Sequence, residues 1–151
     1  DMAREITMNR LMNQSIVFRD TETVWENYAP EYPIPGRPWS RDDFVGWSAC
    51  APIAQLIENY IGLDIQVPDN TINWNLRTIE EVGLDNLKFG NGNVRLLAEK
   101  REAPDKPVNI EIETDTSFQF NLNDGKAEAS RQIKPGKHNI TLFPEREDDD
   151  E

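Results

Sequence analysis

The sequence has 151 residues, 28 acidic side chains against 16 basic ones, a formal charge of −12 and 37% apolar residues. That balance repels phosphate, so nucleic acid and anionic membrane surfaces are excluded as main partners. One cysteine and one histidine leave no internal disulfide and argue against a Cys/His zinc site, and no apolar run approaches the ~20 residues that span a bilayer.

The chain begins inside a helical pattern. Met8, Leu11, Met12, Ser15 and Ile16 follow the i, i+3, i+4, i+7, i+8 spacing of one helix face, which predicts a helix over about 2–18. An opening on Asp1 without a leader is what a fragment of a longer protein would show. After the polar "RDTET" comes "TVWENYAPEYPIPGRPW", a segment with neither helical nor strand period. Prolines stiffen such a connection, and aromatics with polar edges offer flat platforms of the kind a sugar ring fits. Two readings remain open: a loop pinned by its own aromatics, or one wall of a sugar site. Ser40 and Asp43 form a capping-box pattern for the next helix. The stretch Asp42–Trp47 either joins that helix through a kink at Pro52 or makes its own turn. Ile53, Leu56, Ile57, Tyr60 and Ile61 repeat the helical spacing. Pro52 suits a first turn, and Gly62 suits the position just past the end, where a positive φ is often needed.

Beyond Pro68 the period falls to two. Ile72, Trp74 and Leu76 share one face; so do Val108, Ile110 and Ile112, and then Phe118, Phe120 and Leu122. "GNGN", "NDG" and "KPGK" supply turns, and Asp-Gly between alternating runs marks a hairpin. About seven short antiparallel strands are expected, in a small β-sandwich-like region. The predicted organisation is therefore helices and loop over 1–66, β region over 67–143, and an acidic tail over 144–151. Two helices cannot form a helical domain alone, which again suits a fragment and favours self-association of its uncovered stripes.

Glu26 stands outside any charged run. Aromatic neighbours would partly desolvate it and tend to raise its pKa, as acid–base work often requires; the alternative is an exposed loop glutamate. Asp42 and Asp43 read as helix-start carboxylates, Glu58 as solvated, Cys50 as a small buried residue and His138 as a strand residue facing solvent.

"TVWENYAPE" followed by "DFVGWSACAPIAQLIENYIGL" resembles the C-terminal end of the (α/α)6-barrel glycosidases. The likeness is to glycoside hydrolase family 63 and the mannosylglycerate-hydrolase-like enzymes, with trehalases more distant. Glu26-Asn27-Tyr28, Gly46-Trp47-Ser48 and Pro52–Gly62 carry it. "NTINWNLR" and "GLDNLKFGNGNVRLL" extend it, over about Met2 to Leu97. The resemblance implies an α+β chain: the last helices of an incomplete (α/α)6 barrel followed by the antiparallel β region. It also implies an inverting hydrolase of α-linked sugars, whose two carboxyl groups stand about 6.5–9.5 Å apart. Glu26 would be the general base, with Trp25, Asn27, Tyr28, Trp47 and Trp39 lining the sugar subsite. The acid would lie upstream, so the chain alone would be inactive. Its partners would be an oligosaccharide or glycoside and the missing N-terminal part of the barrel, with no cofactor and no metal. The alternative function is a non-catalytic module that binds carbohydrate or docks another protein.

Overall fold

The computed structural model describes residues 2–36 and 46–144. The capping pattern at Ser40 and Asp43, the candidate Trp39 and the tail after Pro144 lie outside the described residues. The chain divides into two compact units, Asp1–Tyr60 and Ile61–Glu151.

The first unit is helical. Helix α1 spans Met2–Thr21, a turn longer than its apolar spacing predicts. Its end is closed by Glu22 in the left-handed region (φ 56°), whose N–H donates to the Phe18 carbonyl at 2.6 Å. The buried positions are Thr7, Gln14 and Val17, whereas Met12 and Ser15 of the expected apolar face are exposed. Apolar spacing misjudged the face because this helix buries a largely polar stripe. Helix α2 spans Gly46–Gln55 with Pro52 inside it and continues as a π-helical turn, Leu56–Ile61. Proline removes the N–H that would bond to the carbonyl four residues back, and the wider turn follows a few residues later. The Arg4 guanidinium lies over the Tyr60 ring, 4.5 Å from its centroid, and ties the start of α1 to the end of that turn. Cys50, expected to be buried, is exposed.

The second unit is a β-sandwich. Its strands are β1 (Leu63–Gln66), β2 (Thr71–Asn75), β3 (Val82–Phe89), β4 (Gly92–Ala98), β5 (Val108–Thr114), β6 (Phe118–Asn123), β7 (Glu128–Ile133) and β8 (Gly136–Leu142). They form two four-stranded sheets, in the orders β1-β2-β6-β7 and β3-β4-β5-β8. Alternation decides the faces: Ile72, Trp74, Phe118, Phe120 and Leu122 point inward from one sheet, and Val94, Leu96, Ile110 and Ile112 from the other. Phe89 meets Phe118 between the sheets, with ring centroids 5.5 Å apart, and Trp74 packs edge-on to Phe120 at 6.4 Å. The Trp74 indole N–H donates to the Ile61 carbonyl at 2.8 Å, so its one polar atom is satisfied in the core. Gly62 enters β1 with φ +89°, and a Cβ there would fall 2.1 Å from the Asn75 carbonyl oxygen. Only glycine fits that junction.

One end of the sandwich is locked by a buried ion pair. Arg101, in the β4–β5 connection, donates from Nη1 to Asp124 Oδ2 at 2.7 Å, and both side chains are almost fully enclosed. Asp124 opens the β6–β7 turn, where Oδ1 accepts the N–H groups of Lys126 and Ala127, both at 2.9 Å. Burial works against the charged carboxylate, but the Arg101 hydrogen bond and these two N–H groups outweigh it, so Asp124 titrates below its ordinary range.

This architecture overturns the fold expected from the resemblance. Among the described residues there are two α-helices, and the larger part of the regular secondary structure lies in eight strands, so the chain is not the closing part of an (α/α)6 barrel. The likeness to glycoside hydrolase family 63 falls with it: helical spacing and a Gly-Trp turn are local features, and they do not specify a ring of paired helices. The β region also departs from a wholly antiparallel plan. β2 and β6 pair in parallel, with Asn73 opposite Asn121, because the chain leaves the first sheet after β2, builds β3–β5 in the second, and returns.

Candidate functional site

The loop after α1 is held at several points. Trp25 is 3% exposed, and its Nε1–H donates to Thr21 Oγ1 at 2.9 Å. Its backbone N–H donates to the Tyr28 hydroxyl at 3.3 Å, which folds the Tyr28 side chain back over the Trp-Glu-Asn turn. Tyr28 and Pro35 form an antiparallel bridge, and the Gly36 N–H donates to the Asn27 carbonyl at 3.0 Å. Two strands of a tight Ω-like excursion are thus tied at its neck. Ser48, in the first turn of α2, sits with Oγ 3.5 Å from the Glu26 carbonyl oxygen. That contact joins residues 22 apart and brings the Gly46-Trp47-Ser48 turn to the Glu26 peptide.

The side chains differ in their surroundings. Glu26 is half-buried, and its carboxylate has no hydrogen bond or ion pair among the described residues. Asn27 is exposed and Tyr28 half-buried, while Trp47 is 65% exposed. Trp25, by contrast, serves as an internal anchor with its polar atom engaged. Among the described residues no group of three or more His, Cys, Asp or Glu side chains could hold a metal ion.

Sequence reading passed over a second constellation, on the outer face of the β1-β2-β6-β7 sheet. Asp64, Asn73, Asn121 and Ser130 stand directly opposite one another, one on each strand. Their hydrogen bonds run in one direction across the sheet. Ser130 Oγ donates to Asn121 Oδ1 at 2.7 Å, Asn121 Nδ2 to Asn73 Oδ1 at 2.8 Å, and Asn73 Nδ2 to Asp64 Oδ2 at 3.1 Å. A second rung carries Asn75, Asn123 and Glu128, with Asn123 Nδ2 donating to the Glu128 carboxylate and Arg77 donating to Asn123 Oδ1 at 3.0 Å. The rungs line an open groove of about 520 Å³. The signal was present in "NWN" and "FNLN", where an amide at each outward position alternates with inward apolar residues.

No family model matches the chain. A relative in Borreliella burgdorferi (strain B31), described as an uncharacterized protein, is 26% identical over 153 aligned positions, which cover 94% of this chain and 32% of the relative. The chain therefore spans about a third of the length of the curated relative it matches. Among solved structures, a GH127 β-L-arabinofuranosidase from Geobacillus stearothermophilus T6 aligns with 65% of this chain and 18% of its own, at 12% identity and a TM-score of 0.41. A likeness at that level assigns neither fold nor activity.

Proposed function

We propose that this chain is part of a glycoside-processing hydrolase and that its helical unit supplies Glu26 as a general base. The observation that carries this reading is the half-buried Glu26, whose carboxylate has no partner among the described residues, on a loop whose backbone is fixed on both sides. A structural carboxylate in such a setting would normally be paired, whereas a base must keep its oxygens available for a proton. Asn27 and Trp47 are the neighbours able to hold a sugar, one by hydrogen bonding and the other by its exposed apolar ring. Glycoside cleavage also needs an acid on the far side of the bond. Glu26 is not assigned that task, and the acid is not placed in this chain.

The test is turnover. Glu26→Gln keeps the shape of the side chain and removes its basicity. It is compared with the unaltered protein on a panel of p-nitrophenyl glycosides, both in this chain and in the longest polypeptide that carries it. The expected result is no turnover by this chain alone, and in the longer polypeptide a fall in kcat of about 10²-fold or more with KM nearly unchanged. Near-normal turnover by Glu26→Gln would remove the assignment.

A further inference from the structure

We propose that the outer face of the β1-β2-β6-β7 sheet is a binding site for a neutral oligosaccharide lying across the strands. The inference is independent of Glu26 and concerns the other unit.

A polar outer face is the ordinary condition of an antiparallel sandwich. What sets this one apart is its kind of polarity. On the other sheet outward charges pair, Arg95 with Glu111 at 3.1 Å and Lys137 with Glu113 at 3.3 Å, and the amide Asn109 is engaged by Glu99 and Thr141 with no second amide opposite it. Such pairs are solvated and self-sufficient. The β1-β2-β6-β7 face instead presents neutral amides in register, each held in one orientation by its neighbour. An amide nitrogen carries two N–H donors. Asn73 spends one on Asp64, and Asn121 spends one on Asn73. One N–H on each remains for a ligand, alongside carboxylate oxygens at Asp64 and Glu128 on either side of the groove.

Alternating N–H donors and carboxylate acceptors, fixed in place before binding, match hydroxyl groups, which both donate and accept. Neighbouring strands are about 4.8 Å apart, so the rung of four extends over roughly 14 Å, room for a short oligosaccharide rather than a single small polar molecule. The amides carry no charge and the two carboxylates repel an anionic chain, so the row of donors and acceptors suits a neutral one. Among the described residues the groove walls contain no exposed aromatic ring, because the ring of Trp74 points into the core beneath it. Recognition would rest on hydrogen bonds to pre-oriented groups, which reduces the ordering cost of binding.

The experiment is an NMR titration of this chain with maltohexaose, cellohexaose, xylohexaose and mannohexaose, following the side-chain NH2 signals. With at least one of these sugars, the Asn73 and Asn121 NH2 signals are expected to shift saturably while those of Asn109 and Asn139 on the other sheet stay still. Asn121→Ala should then weaken binding about tenfold, equivalent to about 1.4 kcal/mol. Asn139→Ala, on the other sheet, should change it by less than about threefold, and binding should show no dependence on salt. Amide fingerprint spectra establish that both variants remain folded, and the wild-type map needs no variant. The proposal is overturned if none of the four sugars moves the Asn73 and Asn121 signals. It is equally overturned if shifts appear on the opposite sheet instead, or if raising the salt concentration abolishes binding, as a cationic ligand would require. These outcomes are read without turnover, so they stand apart from any failure of Glu26→Gln.

Discussion

The helical unit and the sandwich divide the work of folding unequally. Among the described residues of the helical unit, Val17 and Trp25 are the buried apolar side chains, whereas the sandwich encloses a continuous set from Leu63 to Leu142. The helices leave Ile6, Met12, Phe18, Ile53 and Trp47 exposed. A sheet that faces another sheet buries alternate residues along every strand, so its pattern is dictated by the fold. A helix with little to cover it holds its shape by local bonds and carries a looser pattern. The difference implies that the sandwich governs stability and that the helical unit is freer to serve a site.

Substitutions can break or sharpen that contrast. The largest loss is expected from Asp124→Ala, which leaves Arg101 charged and enclosed without its carboxylate, at a cost of about 3–5 kcal/mol in denaturant unfolding. A loss under 1 kcal/mol would show that the pair is hydrated and that the sandwich end is not locked by it. Phe118→Ala removes the ring shared by Phe89 and Phe120 and should cost a similar ~3–5 kcal/mol. Gly62→Ala must place a Cβ against the Asn75 carbonyl at a positive φ, so a cost above ~1 kcal/mol is expected from thermal unfolding.

Acid should act on the sandwich through the same pair. Asp124 titrates below the ordinary value of 3.8, so the unfolded chain binds its proton first as pH falls. The stabilisation is complete above that value and is lost as pH drops through the folded pKa. Stability measured from pH 6 downward should therefore decline in that window, and Asp124→Asn should flatten this part of the curve. The smallest effect belongs to the helical unit. Ile6→Gln on the exposed side of α1 should shift stability by no more than about 0.5 kcal/mol. A larger change in a concentration-dependent melt would reveal that the α1 face is covered in solution.

Much of the sandwich could be read along the chain, and little of the helical unit could. Ile72–Leu76, Val108–Ile112 and Phe118–Leu122 alternate because each strand has one face in the core. Arg101 and Asp124 gave no such warning: one sits in a charged run and the other in a turn, and 23 residues separate them. The α1 face was misplaced because Thr7 and Gln14, both polar, are the residues it buries. Of the loop, Glu26 could be picked out by its lack of charged neighbours. The contact that sets Ser48 against its carbonyl is a product of folding and has no local signature.

What the sequence determined by itself is local: the period of two in the strands, the turn at Asp-Gly, the glycine that must follow the second helix and the excess of negative charge. Those properties depend on near neighbours and on composition. The tertiary structure alone decided which strands share a sheet, that β2 and β6 run parallel, and that four outward residues from four strands form one polar rung. Pairing between distant strands is a choice among many registers, each satisfying the same backbone groups. Burying Trp74, Phe118 and Phe120 together is what selects one of them.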